Sequence, residues 1–547
     1  DLGQFSLDNI ESLSLYNGQK SQILQPAKDF GSAGTIYMRT RTPSFDEGES
    51  YHARAAVRFG SFDLLNPSAN IELKLSSRVN ASLSAEWVNS SGKYKFRYRR
   101  VNPAGELAYD TTAVRQNGDI NATRIEANLY GTLARGSWTF KVYNYNSERG
   151  VPGAIVNNVW RRGERQWDHN TFGQAVFQKS FGDKFSTKAL AKYAYYVTRY
   201  VNNDETQIHV DNTYRQQEMY FSTSNVYEIL SKWSVSMSYD FKWNKLNANM
   251  VDFAFPHRYS NFVSLATALT LSRIQAQASL VEQVVKDHVK YGASSSSRST
   301  LTPAFFVNVY PFESKLLAVR AFAKKSFRMP TFNDLYYADM GNSKLNPESA
   351  LQYDLGFVLN KDWKQGIVDH FRLQVDGYYN TVYDKIVAYP KGQQFRWTML
   401  NLGKVHIKGV DAMAEVGLEP AKDWKVTARL QYTYQDARDV TDPNTSYYKD
   451  QIPYIPWNSG SAILGLSWRE WDLSYSFIYS GERYSQQENI LYNHLQPWYT
   501  HDMSVVYHAR RWSARLDVNN IFSQDYDVIL NYPMPKRNYM LTLEYNF

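Results

Sequence analysis

The sequence predicts an all-β fold, a 22-stranded antiparallel transmembrane β-barrel. The first observation is alternation: between residues 233 and 242, Trp, Val, Met, Tyr and Phe alternate with Ser, Asp and Lys, which is typical of a strand with one apolar face. The second is length, because the runs 186–199, 216–229 and 370–387 exceed the roughly five or six residues usual in soluble sandwiches. The third is the spacing of the runs, which are joined by alternately tight and long connections.

Composition supports a membrane barrel and excludes several other classes. Charged residues make up 21% of the 547, and no apolar run approaches the roughly 18 residues of a spanning helix. Aromatic residues make up 15% of the chain, and 42 of them are tyrosines and 14 are tryptophans, the types enriched at membrane interfaces. Because the sequence contains no cysteine, disulfides, thiolate metal sites and a cysteine nucleophile are excluded. The net charge is +8, and the basic residues are scattered along strands and loops, so we expect no nucleic-acid partner.

The alternating runs give 22 strands, an even number as in bacterial single-chain barrels. They are predicted at 51–60, 69–78, 79–98, 120–131, 136–147, 171–180, 184–199, 215–230, 232–246, 260–271, 273–287, 300–311, 314–327, 349–360, 369–389, 405–418, 423–437, 459–469, 471–484, 498–509, 510–521 and 538–547. The last run ends in a terminal Phe after alternating apolar residues, which resembles the assembly signal of outer-membrane proteins. It should pair with the first strand, because an open edge leaves backbone groups unpaired in lipid.

The predicted connections alternate in length along the chain. Tight turns are expected at 132–135, 180–183, 311–313, 469–470 and 509–510. Long loops are expected at 101–119, 147–170, 328–348 and 438–458. Short turns on one rim and long loops on the other are typical of outer-membrane barrels.

The first 45 residues do not fit the barrel pattern. Residues 10–18 read as a short strand ending in a turn, and residues 31–40 as a glycine-rich turn followed by a second strand. This arrangement resembles the end of the plug domain of TonB-dependent outer-membrane receptors. The resemblance implies a C-terminal remnant of a plug at 1–45 and a transmembrane barrel at 46–547. It also implies that TonB acts through an N-terminal plug segment that is missing from this sequence.

Further stretches carry the same resemblance. Residues 326–337 and 341–348 look like the large mid-barrel loop of the family, and Ile-Lys-Gly-Val-Asp at 407–411 resembles one of its strand signatures. Residues 516–522, followed by Tyr-Pro-Met-Pro-Lys-Arg at 532–537, resemble its final hairpin. The resemblance covers the whole chain in order and implies a receptor in the bacterial outer membrane.

The resemblance implies active uptake of a scarce solute too large for porins, bound mainly by the outer loops. Pockets for such solutes combine aromatic rings with a few polar groups. The candidate ligand-binding residues are of these types: Arg328, Asn333, Tyr336, Tyr337, Asp339, Arg396 and Trp397. Packing of loop against loop is an equally good explanation for each of them. We expect no cofactor and no metal site, and partners comprising TonB, outer-membrane lipid, the solute and a surface lipoprotein that caps the loops.

Cobalamin (vitamin B12) is the first candidate solute, because residues 526–537 resemble cobalamin receptors. Some siderophore receptors share this segment, and Lys536 stands where glycine is common. Haem receptors of the superfamily carry a histidine in the mid-barrel loop, whereas residues 330–342 contain none. A ferric siderophore or haem receptor is therefore the alternative, and a passive porin is the alternative class. The plug-like residues argue against a porin.

A hydrolase at the barrel rim is the enzymatic alternative. His501 and Asp502 are adjacent on a predicted strand, so their side chains point to opposite faces and cannot form a dyad. His494 and His501 lack a third nearby ligand for a metal ion. We therefore expect no catalytic residues and no enzymatic activity.

Overall fold

The computed structural model describes residues 2–17, 22–101, 106–156, 163–203, 209–292, 294, 297–337, 341–391 and 396–547. Its helices are α1 (Ala27–Phe30) and α2 (Phe332–Tyr336), and its 3-10 turns are Leu2–Gln4, Leu7–Asn9 and Leu491–Asn493. Its strands are β1 (Ile10–Asn17), β2 (Gly34–Thr40), β3 (Tyr51–Gly60), β4 (Leu64–Lys74), β5 (Val79–Ser90), β6 (Lys95–Val101), β7 (Leu107–Val114), β8 (Ile120–Leu133), β9 (Gly136–Gly150), β10 (Arg165–Phe181), β11 (Phe185–Asn202), β12 (Val210–Leu230), β13 (Trp233–Ala248), β14 (His257–Thr270), β15 (Ile274–His288), β16 (Arg298–Val309), β17 (Leu317–Arg328), β18 (Glu348–Asp362), β19 (Val368–Lys391), β20 (Arg396–Leu418), β21 (Trp424–Asp439), β22 (Asn458–Trp468), β23 (Trp471–Ser480), β24 (Arg483–Tyr484), β25 (His494–Leu495), β26 (Trp498–His508), β27 (Trp512–Asn519) and β28 (Asn538–Asn546). Within these ranges no helix has the length and apolar character needed to cross a membrane.

Twenty-two of the strands close into one antiparallel barrel. The ring runs from β3 through β4 and β5 to β8–β23 and then β26–β28, and β28 pairs with β3. In this closing pair Val57 lies opposite Leu543. Closure pairs every edge of the wall, as the hydrocarbon of a membrane requires. The predicted fold class is confirmed.

Each predicted strand has a counterpart in the ring, but two are misplaced. The prediction of one strand over 79–98 is wrong, because β5 ends at Ser90 and the later alternation belongs to a separate hairpin of β6 and β7. The chain leaves the wall at Gly92, whose φ is 60° and where a Cβ would lie 2.0 Å from the backbone of Gly118. The strand predicted at 69–78 lies earlier, because a turn with positive φ at Phe62 and Asp63 places β4 directly after β3.

The two faces of the wall separate as the alternation predicts. On β13, Ser236 and Ser238 are buried inside the barrel, whereas Met237 between them is 56% exposed on the outside. Leu541 and Leu543 on β28 are likewise exposed on the outer face. The outer face is therefore apolar at these positions, which suits contact with lipid.

The connections sort onto two rims. The short-turn rim carries the turns 75–78, 134–135, 182–184, 231–232, 271–273, 310–316, 363–367, 419–423, 469–470 and 509–511. The long-loop rim carries 61–63, 91–119, 151–164, 249–256, 289–297, 329–347, 440–457, 481–497 and 520–537, together with the strand ends that 203–209 and 392–395 connect. The predicted alternation holds along the ring, although 61–63 and 392–395 are short.

Residues 2–17 and 22–45 are called the luminal segment, because residues 3–9, 23–30 and 40–43 contact inward-facing side chains of the wall. Its helix α1 docks on the inner face of β13, where the Asp240 carboxylate accepts from the backbone N–H of Ala27 at 3.0 Å and of Lys28 at 2.9 Å. Phe30 is fully buried in a cluster with Ala266 and Val281 of the neighbouring strands. The docking site combines apolar burial with charge-assisted hydrogen bonds.

The start of the luminal segment is held by polar contacts. Asp8 forms an ion pair with Arg58 on β3, and Asn9 donates to Glu126 on β8 at 2.8 Å. Together with α1, these contacts tie the segment to the half of the wall between β3 and β15.

Candidate functional site

The loop 329–347 starts with the helix α2. The Thr331 Oγ1 accepts from the N–H of Asp334 at 3.2 Å, and the Asp334 carboxylate accepts from the N–H of Thr331 at 2.8 Å. This reciprocal pair is a capping box, which the Thr-x-x-Asp pattern favours because it satisfies N–H groups that a helix leaves unpaired. The sequence therefore fixes the start of α2 locally.

A buried arginine fastens this loop to the wall. Arg258 on β14 donates two hydrogen bonds to the Asp287 carboxylate on β15, at 2.7 and 2.6 Å. Its remaining amino group donates to the Pro330 carbonyl at 2.6 Å, and its guanidinium carbon lies 5.1 Å from the centre of the Phe332 ring. Because Arg258 and Asp287 are both buried, their bidentate pairing fixes the direction in which the loop leaves the rim.

The apolar side chains of the loop fill a cluster at the barrel mouth. Its buried members come from β12, β13, the loops 249–256 and 329–347, and β19: Tyr214, Leu246, Ala248, Phe253, Phe332, Leu335, Tyr336, Leu345 and Ile386. Tyr337 stacks on Tyr214 with ring centres 4.1 Å apart. Burial raises the pKa of Tyr337 to about 12, so its hydroxyl stays protonated. The loop thus crosses the mouth from β17 and β18 to β12 and β13.

The predicted ligand-binding residues of this loop have different surroundings. Tyr336 and Tyr337 pack inside the mouth cluster. Arg328 ends β17, with its guanidinium 3.8 Å from the capping carboxylate of α2, and Asn333 is exposed on α2. Asp339 lies outside the described residues. Contact with a solute stays a prediction for all of them, and the geometry for the two tyrosines also fits the packing alternative.

The last loop, 520–537, forms a second crossing of the mouth. Trp397 on β20 donates its Nε1–H to the Tyr532 hydroxyl at 3.2 Å. On the other side, the Tyr94 hydroxyl donates to the Pro533 carbonyl at 2.6 Å. Arg396, the remaining predicted residue, opens β20 opposite Lys391. Trp397 therefore lies next to the Tyr532 ring of this loop, and its contact with a solute stays a prediction.

Two buried arginines that the sequence did not single out clamp the outer loops. Arg115 donates to the carbonyls of Pro152 and Gly153 at 2.6 and 2.7 Å. Arg483 donates to the carbonyls of Gln496, Asp527 and Val528 at 3.1, 2.7 and 3.0 Å. Their acceptors are backbone carbonyls, which leave no side-chain pattern in the sequence.

The histidines considered for catalysis have ordinary contacts. The His501 Nδ1 lies 2.5 Å from the Tyr475 hydroxyl, whereas the Asp502 carboxylate accepts from the Asn520 N–H at 2.6 Å. In the part of the chain that the structure describes, no three His, Asp or Glu side chains are grouped to hold a metal ion. The mouth offers rings, hydroxyls and carbonyls, which can bind a solute by stacking and hydrogen bonding.

Comparison with known proteins decides the family. The model of the family described as "TonB dependent receptor-like, beta-barrel" matches residues 11–521. The chain belongs to this family. Its barrel lies in the bacterial outer membrane, so the long-loop rim faces the cell exterior and the short-turn rim faces the periplasm.

The similar proteins share the fold and differ in cargo. The Vitamin B12 transporter BtuB of Photobacterium profundum is 26% identical over 242 residues, which cover 42% of this chain and 36% of that protein. The copper transporter OprC superposes with a TM-score of 0.75 at 15% identity, over 100% of this chain and 87% of that one. The ferric citrate transporter FecA, in its unliganded form, gives 0.75 at 11% identity, over 100% and 85%. At these identities the solved structures establish the fold alone.

Proposed function

We propose that the chain is a TonB-dependent receptor for active uptake of a scarce, large solute, with cobalamin as the first candidate. A ferric siderophore or haem is the alternative cargo. The observation that supports this proposal most directly is that the luminal segment contacts the inner wall while two loops cross the mouth. A passive porin needs an open lumen, and the luminal segment occupies it here. In this proposal residues 1–45 are the C-terminal part of a plug and residues 46–547 the transmembrane barrel.

The proposed solute site is the outer surface between the two crossing loops. Arg328 and Asn333 present polar groups there, and Trp397 and Tyr532 present rings. In the same proposal Asp339 and Arg396 also contribute to solute binding. Rings with a few polar groups suit a large solute that is bound reversibly and carried on unchanged. The work is binding and gating, with no covalent step.

The proposed partners follow from the family. Energy reaches the receptor through TonB, which pulls on a plug segment N-terminal to the luminal segment, and a surface lipoprotein caps the outer loops. Cobalamin is favoured by the relative named as a vitamin B12 transporter, whose match covers 36% of that protein. Metal complexes stay the alternative cargo, and the copper and ferric citrate transporters share only the fold.

Equilibrium binding to the purified chain tests the proposal. Cyanocobalamin, haem and a panel of ferric siderophores are titrated while tryptophan fluorescence is followed. We expect saturable binding of one solute class, weakened by Trp397→Phe, which removes the hydrogen bond to Tyr532. Trp468→Phe at the short-turn rim is the matched control and should leave binding unchanged. A folded barrel that binds none of these solutes would contradict the proposal.

Solute flux separates the receptor from the porin. Liposomes carrying the full chain are compared with liposomes carrying a chain that lacks residues 1–45. Removal of the luminal segment should raise the flux of solutes, because α1 and the preceding residues occupy the lumen. Equal flux through both forms would favour the porin.

A further inference from the structure

The outer ends of β12 to β15 carry basic residues on the face of the barrel that points to lipid. On β12 the even-numbered residues face the lumen, where Tyr220 bonds to Asp240 and Ser224 bonds to the luminal segment. Arg215 alternates with these residues and is exposed on the outer face. Residues that pair across antiparallel strands share a face. Lys245 and Lys286 are therefore also on the outer face, because Lys245 pairs with Gln217 and Lys286 with the outward Tyr259.

Arg215 and Lys245 form the core of this group. In the register of β12 and β13, Arg215 lies opposite Asn247 and Gln217 lies opposite Lys245. Arg215 and Lys245 are thus diagonal neighbours roughly 7–8 Å apart, with their Cβ atoms somewhat closer. Two long basic side chains at this spacing can converge on one anion. The amides of Gln217 and Asn247 lie between them and supply further donors.

The cations of this group have no carboxylate partner. In the described part of the chain, the side chains of Arg215, Lys245 and Lys286 form no ion pair and no hydrogen bond. Of the nearby outward carboxylates, Asp211 is held by Arg199 through two bonds of 2.9 and 2.7 Å. Excess positive charge therefore remains on a surface that meets the membrane.

The position of the group defines its surroundings. Directly below it, toward the membrane centre, the outer face carries Trp243 and Tyr259, which lie opposite each other in the register. Below these, Phe221 and Leu265 are exposed and apolar. Aromatic side chains of this kind mark the boundary between hydrocarbon and headgroups. Long basic side chains above such a boundary extend into the headgroup layer.

We propose that Arg215 and Lys245, with Lys286 beside them, bind the phosphorylated headgroup of a lipid in the outer leaflet. Arginine and lysine are the side chains that recognise phosphate, and Arg215 can do so with two parallel hydrogen bonds. The rings of Trp243 and Tyr259 pack against the upper part of the same lipid. A soluble anion would use only the basic side chains, whereas a lipid uses the cations and the apolar face beneath them.

Native mass spectrometry of the purified full chain tests this site. Diphosphoryl lipid A is the probe, dephosphorylated lipid A is the matched ligand control, and inorganic phosphate tests a soluble anion. The chain should retain diphosphoryl lipid A through detergent exchange and lose the other two. Arg215→Ala with Lys245→Ala should weaken retention roughly 25-fold, at about fivefold for each basic residue near a charged membrane surface.

Matched variants decide between this site and general charge. Lys93→Ala with Lys95→Ala removes the same charge from the outer loop 91–119 and should leave retention unchanged. Heat-modified migration on a gel shows that each variant is folded. Equal retention by the Arg215/Lys245 variant and the parent chain would overturn the proposal. So would equal retention of the two lipid A forms, or displacement of the lipid by inorganic phosphate.

Discussion

Replacing Asp240 with alanine should release α1 from the barrel wall. The Asp240 side chain is fully buried and accepts three hydrogen bonds: from the N–H of Ala27 at 3.0 Å, the N–H of Lys28 at 2.9 Å and the hydroxyl of Tyr220 at 2.9 Å. Alanine accepts none, so the first two N–H groups of α1 lose their partners. The luminal segment would then be held at this end by the apolar contacts of Phe30 and by the hydrogen bonds that Ser224, Ser236 and Ser238 donate to the carbonyls of residues 23 and 25.

The size of the effect follows from these contacts. A hydrogen bond to a charged acceptor contributes about 1.5–3 kcal/mol. We take the lower end for each of the two N–H groups, because the variant also avoids the cost of burying a carboxylate. Docking of α1 should therefore weaken by about 3 kcal/mol, which is roughly 100-fold in the docking equilibrium.

Hydrogen exchange read by mass spectrometry measures this change in the peptide that spans residues 22–33. The amides of Ala27 and Lys28 should exchange roughly 100-fold faster in Asp240→Ala and roughly tenfold faster in Asp240→Asn, which keeps one acceptor oxygen. Ser236→Ala removes a single neutral bond to the Ile23 carbonyl and should have the smallest effect. Parent-like protection in Asp240→Ala, with a folded barrel, would refute the assigned docking.

Three further substitutions test the lipid face, the buried ion pair and the mouth cluster. Met237→Arg should cost about 2–4 kcal/mol in unfolding from lipid vesicles, whereas Ser476→Arg on the luminal face should cost much less; equal costs would contradict the assigned faces. Arg258→Ala leaves Asp287 buried and unpaired and should cost about 3–5 kcal/mol in the same assay. Removal of both side chains should restore part of this stability. A double variant whose loss equals the sum of the two single losses would be evidence against coupling. Tyr337→Ala removes the ring stacked on Tyr214 and should weaken solute binding by more than about 1 kcal/mol and speed proteolysis of the loop 329–347; no change in either would leave the ring without a role.

Most of the barrel wall could be predicted because strand alternation is a local signal. Each predicted strand from 120–131 to 538–547 overlaps one strand of the ring, and the closing pair of β3 and β28 follows from the need to leave no edge in lipid. The same signal failed after Ser90, because the hairpin of β6 and β7 alternates as regularly as the wall. The close approach of Gly92 to Gly118 shows where the chain leaves the ring, and this contact is visible only in the structure.

The contacts that shape the lumen and the mouth could not be predicted from local pattern. The Ala27 N–H and its acceptor on Asp240 are 213 residues apart, and Trp397 and Tyr532 are 135 apart. Such pairs meet only after the ring has closed and the loops have turned inward. The predicted loop 328–348 was correctly located, but its pattern did not show that Tyr336 and Tyr337 would pack into the mouth cluster.

Closure of the ring is the claim on which the proposed receptor function depends, and a cysteine pair tests it directly. Because the sequence contains no cysteine, Val57→Cys with Leu543→Cys introduces a single possible disulfide between the first and last strands of the barrel. Opposite residues in an antiparallel pair have Cα atoms about 4.5–5.5 Å apart, which suits a disulfide. A closed ring predicts an oxidation-dependent cross-link as efficient as that of Leu516→Cys with Leu541→Cys on the adjacent strands β27 and β28. Absence of the Val57–Leu543 cross-link, under conditions where the adjacent pair forms, would contradict the closed barrel.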